Sequence, residues 1–123
     1  MMKRILIVED KATSRELLRT VLASEGYETI EAVDGEEAVT RAQAEMPDLI
    51  LLDLHMPVRS GYEVLNILRQ DQRFTATPII AVTASAMAGD REKALAAGFS
   101  GYLTKPVPLA RLREEINRLL PRA

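Results

Sequence analysis

Cysteine is absent from the 123 residues, which excludes a disulfide framework, a thiolate metal site and a cysteine nucleophile. Histidine is scarce, with one in the chain. Long apolar runs are missing too: the stretch Ile5 to Val8 ends at Glu9 and Asp10, far too short for a signal-peptide core or a membrane span. Charge of one sign is not in excess. The 16 Lys and Arg residues face 18 Asp and Glu, without the basic surplus that binding to nucleic acid usually demands. These absences predict a cytoplasmic protein that engages neither nucleic acid nor membrane. No glycine-rich phosphate cradle follows Val8, where the turn is acidic, and this argues against a nucleotide or flavin carrier. No internal repeat, low-complexity tract or long linker interrupts the chain, so residues 1–123 are read as one domain without an effector domain.

What is present is an ordinary mixture, 47% apolar and 28% charged, enough for a single core that removes about two-thirds of the unfolded surface from water. Five strand-like stretches alternate with helical ones: Arg4 to Val8, Glu28 to Ala32, Leu49 to Asp53, Pro78 to Thr83 and Gly101 to Thr104. That alternation predicts an α/β fold, a parallel sheet with helices on both faces. Thr13 with Glu16, Asp34 with Glu37 and Ser60 with Glu63 have capping-box spacing and mark three helix starts. Leu17, Leu18, Val21 and Leu22 form an apolar stripe, as do Leu109, Leu112, Ile116 and Leu119 opposite Arg111, Glu114 and Arg118. The segment from Ala86 to Ala97 is rich in alanine, with Met87 and Leu95 as its only large apolar side chains. Its helix is expected to be the one least firmly held.

In such a sheet the ligand crevice lies beyond the carboxyl ends of the strands. Those ends carry Glu9 and Asp10, Asp53, Thr83, and Thr104, Lys105 and Pro106. Asp53 closes the apolar run LILLD, and a carboxylate at the edge of a strand buried on both faces is costly unless something pairs with it. Clustered carboxylates repel one another; with no Cys and few His, a hard divalent cation, Mg²⁺ or Mn²⁺, is the natural remedy. Magnesium in turn points to phosphate. With Asp53 as nucleophile, attack on phosphorus leaves an acyl phosphate that Lys105, the Thr83 hydroxyl and the metal are placed to neutralise.

VEDKATSRELL at the first turn, PDLILLDLHMPVRSGYEVL around Asp53, PIIAVTA at the fourth strand and GYLTKP at the fifth together resemble the receiver domain of two-component response regulators, over nearly the whole chain. The segment AMAGDREKALAAGFSGYLTKP is most similar to stand-alone, cell-cycle-type receivers and to receivers attached to hybrid kinases. The resemblance implies a flavodoxin-like (βα)5 doubly wound sheet with strand order 2-1-3-4-5. It implies a phosphoryl donor on a histidine kinase or histidine phosphotransfer protein. Asp53 is then the acceptor, Asp10 a direct metal ligand with Glu9 helping through water, and the His55 backbone carbonyl a third ligand. Thr83 and Lys105 contact the phosphoryl group, Tyr102 changes rotamer with Thr83, and Lys105–Pro106 is cis. The output surface is the face of the fourth helix, fifth strand and fifth helix, read by a separate protein; the chain is a monomer or weak dimer. Glu9 and Lys11 depart from the commonest pattern, and the His55 side chain stands where the family varies and tunes phosphate lifetime.

Plainer readings exist for each residue. Asp53 could cap a helix or only pair with Lys105; His55 could be a surface residue and Tyr102 plain core. Met56 and Pro57 read as loop packing, Lys11 as a solvated or paired lysine, and the charges of the last helix as a solvated face. Among functions, the main expectation is a signalling module, not an enzyme beyond its own phosphorylation and dephosphorylation. A dehalogenase-like Mg²⁺-dependent phosphatase shares the nucleophile but generally needs a second Asp two positions on, where this chain has His55. A receiver-like scaffold that is never phosphorylated conflicts with the intact Asp10, Asp53, Thr83 and Lys105 set.

Overall fold

The computed structural model describes residues 2–56, 58–84 and 87–120. Its elements run β1 (Arg4–Val8), α1 (Ala12–Ser24), β2 (Glu28–Ala32), α2 (Gly35–Glu45), β3 (Leu49–Asp53), α3 (Gly61–Arg69), a 3₁₀ turn at Gln72–Phe74, β4 (Ile79–Thr83), α4 (Asp90–Ala97), β5 (Gly101–Thr104) and α5 (Leu109–Leu119). The strands form one parallel sheet in the order β2-β1-β3-β4-β5, the flavodoxin-like arrangement expected. Strand order reverses between β1 and β3, and there the crevice opens. β4 starts at Ile79 rather than Pro78, which has no N–H to give the ladder; the Pro78 carbonyl still accepts from the Ile50 N–H.

Alternation along the strands builds two cores. Leu6, Val8, Ile50, Leu52, Ile79 and Ala81 face α2, α3 and α4; Ile5, Ile7, Leu49, Leu51, Ile80 and Val82 face α1 and α5. β3 and β4 are buried along their entire length, as strands covered on both faces must be.

Two of the three expected caps form. Ser60 and Glu63 make a full reciprocal box. Asp34 accepts from the Glu37 N–H at 2.8 Å, while the Glu37 carboxylate turns back to the Val33 N–H. The third does not: α1 begins at Ala12, with Lys11 at its cap and no side-chain cap. The Lys11 carbonyl already accepts from the Arg15 N–H, so the helix starts before Thr13 can act. The stripes are also narrower than expected, with Leu17 and Leu109 exposed; Leu22, Leu112 and Ile116 do the packing.

Helix α4 begins at Asp90, beyond Gly89 with its φ of 88°; Ala86 lies outside the described residues. Its weak anchoring is as expected. α3 buries Val64, Leu65 and Leu68, each contributing roughly 1.5–3 kcal/mol, whereas α4 buries only Ala94 and leaves Leu95 exposed, as is Met87 in the segment before it. A further tie is the Lys93 ammonium, 5.4 Å from the centre of the Tyr62 ring on α3.

Candidate functional site

Each strand end delivers a group to one place because the parallel register brings the carboxyl ends level: Val8 pairs with Leu52, Asp53 with Val82, and Thr83 with Thr104. Glu9 and Asp10 follow β1, Asp53 ends β3, Thr83 ends β4 and Lys105 follows β5. Carboxylate oxygens of Glu9, Asp10 and Asp53 lie within 4.8 Å of one another. Glu9, Asp53 and Thr83 are buried, while Asp10 stands exposed at the rim.

Asp53 is held at both oxygens: Oδ1 accepts from the His55 N–H at 3.0 Å, and Oδ2 from the Lys105 ammonium at 3.1 Å. Lys105 also donates to Glu9 Oε1. Burial pulls the Lys105 ammonium down, but hydrogen bonds to Glu9 and Asp53 and their charges outweigh it and hold the group above the ordinary lysine range. The plainer expectation of an Asp53–Lys105 pair is therefore correct as geometry, without accounting for two further carboxylates beside it. Three formal negative charges against one positive leave an excess of two, which suits a divalent cation. The donor set fits Mg²⁺: hard carboxylate oxygens, with exposed Asp10 leaving room for the waters that Mg²⁺ retains.

Other expected residues fall as follows. The Lys105–Pro106 peptide is cis, and Lys105 is tied back by its N–H to the Thr83 carbonyl at 2.8 Å. Tyr102 is buried in the core on the α4 side, and among the described residues its hydroxyl has no hydrogen-bond partner. Burial pushes its phenol up, with Asp90, Tyr62 and Glu92 adding to the effect. His55 is exposed. Met56 packs partly against the core, as expected; Pro57 lies outside the described residues. Lys11 is exposed, and its backbone N–H, not its ammonium, reaches the site, donating to Glu9 Oε2 at 3.1 Å.

Two contributors were not anticipated. The Arg15 guanidinium donates to the Glu9 and Asp10 carbonyls at 3.0 and 3.5 Å and pairs with Glu31, fixing the acidic turn from behind. Gly61 lets α3 start against Asp53: a Cβ there would meet the Asp53 carbonyl oxygen at 2.7 Å and Leu54 Cα at 2.8 Å. The sequence signal was the glycine after the Ser60 cap.

An open doubly wound sheet with a buried aspartate, two neighbouring carboxylates and a lysine at its switch point defines an aspartate-centred α/β module. Residues 5–117 match the family model of the response regulator receiver domain, and the chain belongs to that family of two-component signalling proteins. It is similar to the polar-differentiation response regulator DivK of Brucella ovis, 41% identical over 98% of each chain. It resembles the chemotaxis response regulator CheY4 of Vibrio cholerae, with a TM-score of 0.91 and 32% identity over 98% of this chain and 100% of that one. A third likeness is to the receiver domain of the sensor histidine kinase PA1611 from Pseudomonas aeruginosa, with a magnesium ion in its active-site cleft. There the TM-score is 0.90 and the identity 36%, over 99% of this chain and 100% of that one. Among the described residues no helix is long and apolar enough to cross a membrane.

Proposed function

We propose that the chain is a single receiver domain that accepts a phosphoryl group on Asp53 from a phosphohistidine of a histidine kinase or phosphotransfer protein. One observation carries this reading: a buried carboxylate, gripped by Lys105 and the His55 N–H, stands beside two further carboxylates. An Asp53 oxygen forms the new P–O bond as the P–N bond breaks, and the electron pair leaves with the imidazole of the donor. Lys105 meets the negative charge on the transferred oxygens, and the Thr83 hydroxyl follows them. Asp10, Asp53, the His55 carbonyl and, through water, Glu9 would hold Mg²⁺ or Mn²⁺, which supplies positive charge to the same oxygens when bound.

The phosphoryl group adds roughly -1.5 to -2 charges. Tyr102 and weakly anchored α4 relay that change to the face of α4, β5 and α5, where a groove of ≈ 450 Å³ is lined by Met87, Arg91, Glu92, Tyr102 and Arg111 among others. A separate protein reads this face. The chain is a signalling switch and not a multiple-turnover phosphatase, because the residue two positions past Asp53 is the exposed His55.

The test is nuclear magnetic resonance with beryllofluoride and Mg²⁺. Shifts are expected at Thr83 and Tyr102 and along α4 and α5, and to shrink in Thr83→Ala. Shifts confined to Asp10, Asp53 and their neighbours would make the protein a passive phosphate carrier.

A further inference from the structure

Asp10 is the exposed member of the acidic cluster, and among the described residues nothing donates a hydrogen bond to its carboxylate. Its direction is therefore set by the backbone that carries it. The Glu9 and Asp10 carbonyls turn toward α1, where the Arg15 guanidinium donates to them at 3.0 and 3.5 Å. That guanidinium is fixed in turn by β2, because its Nε donates to Glu31 Oε1 at 3.0 Å. The second Glu31 oxygen pairs with Arg19 at 3.8 Å, so the carboxylate is engaged at both ends. The Arg15 side chain is 19% exposed, and water competes weakly for these bonds. A line of contacts thus runs from Arg19 through Glu31 and Arg15 to the acidic turn, which it reaches through backbone atoms.

We propose that Arg15, oriented by Glu31, is a positioning residue that sets the affinity of the site for Mg²⁺ by holding the Glu9–Asp10 backbone and with it the Asp10 carboxylate. This rests on the reading of Asp10 as a metal ligand. Arg15 has two opposing effects on such a site. As a positive charge it repels the cation, so its removal would by Coulomb's law alone tighten binding. As a brace it holds the turn in order before the metal arrives, so its removal weakens binding. The brace prevails: the charge is offset by Glu31 and screened at the exposed rim, whereas the brace acts on the atoms that carry the ligand. A planar fork is needed to hold Glu31 on one edge and the carbonyls on another, which an ammonium does not provide.

Calorimetric Mg²⁺ titration decides between the two effects by sign. Arg15→Met should bind Mg²⁺ about tenfold more weakly than wild type, and Arg15→Lys, which keeps the charge but not the fork, about threefold more weakly. Glu31→Gln should weaken binding about threefold by itself and add no further loss to Arg15→Met, since it acts through that guanidinium. In metal-free protein, solvent exchange followed by NMR should quicken about tenfold at the Lys11 N–H in Arg15→Met and stay unchanged at Ile50 and Leu52 in β3, which separates a loosened turn from a loosened fold. Arg15→Met that binds Mg²⁺ as tightly as wild type or more so, a Glu31→Gln penalty undiminished in the Arg15→Met background, or exchange that quickens equally at Lys11 and Ile50 overturns the proposal. Wild type that binds no Mg²⁺ removes the metal site and the proposal together. Wild type that binds Mg²⁺ yet takes up no phosphoryl group at Asp53 overturns the acceptor reading alone, because the affinity and exchange measurements do not depend on it.

Discussion

Replacing Tyr102 by phenylalanine should stabilise the protein. The residue is 6% exposed and among the described residues its hydroxyl has no partner, and an orphaned buried hydroxyl costs about 1–3 kcal/mol. Tyr102→Phe keeps the ring and removes the oxygen, leaving a void of one atom that gives back part of the gain. The net expectation is about 1 kcal/mol of added stability, or roughly 3–5 °C in Tm for a chain of this size. Urea titration and thermal melts followed by circular dichroism measure it. A pH series sharpens the test, because burial, followed by Asp90, Tyr62 and Glu92, raises the Tyr102 phenol in the folded state. Above about pH 10 an unfolded tyrosine ionises while the folded one stays neutral, so stability tied to this group is lost as pH rises. The advantage of Tyr102→Phe should therefore widen in alkali. A variant less stable than wild type by 1 kcal/mol or more, with a gap insensitive to pH, would show that the hydroxyl is paired and refute the reasoning.

Val58 is a β-branched residue at φ 71° and is 72% exposed, so Val58→Asn should relieve strain without losing burial and stabilise by about 1 kcal/mol in the same titration. Glu115 is buried, a correction to the solvated face expected of the last helix. Its hydrogen bond to Arg118 lowers its carboxyl against the opposing effect of burial, with charges from Arg118, Arg111 and Arg91 assisting. A lowered folded pKa gives stability that is present above the unfolded value of about 4.3 and is lost as pH falls through the folded one. Glu115→Gln should thus show a shallower fall of the urea midpoint on acidification, and an unchanged slope would contradict the assignment. The exposed His55 side chain stands two residues from Asp53, the proposed acceptor; His55→Ala should change the decay of phosphorylated protein, measured by intact mass, while leaving uptake possible.

Strand positions were legible because a two-sided sheet writes uninterrupted apolar runs such as LILLD, and the site was legible because those runs stop at charged residues. What stayed hidden depends on neighbours distant in sequence. The spacing of Leu17 and Leu109 matches a core stripe, but whether a stripe is covered depends on how far the helix overhangs the sheet. Thr13 and Glu16 have the spacing of a capping box, yet the helix starts at Ala12 because the tightly bonded acidic turn before it fixes its first residues. The engagement of both Glu9 oxygens requires Lys105, 96 residues away. The unpaired Tyr102 hydroxyl is a property of packing alone. Gly61 could be read as a helix start, whereas its contact with the Asp53 carbonyl required coordinates.

Borohydride trapping shows by direct chemistry whether Asp53 carries the phosphoryl group. Protein treated with acetyl phosphate and Mg²⁺ is reduced with borohydride, which converts an aspartyl phosphate to homoserine, and the peptides are sequenced by tandem mass spectrometry. Homoserine is expected at position 53, dependent on Mg²⁺ and absent from Asp53→Asn. Homoserine at another aspartate, or equal trapping in Asp53→Asn, would contradict it.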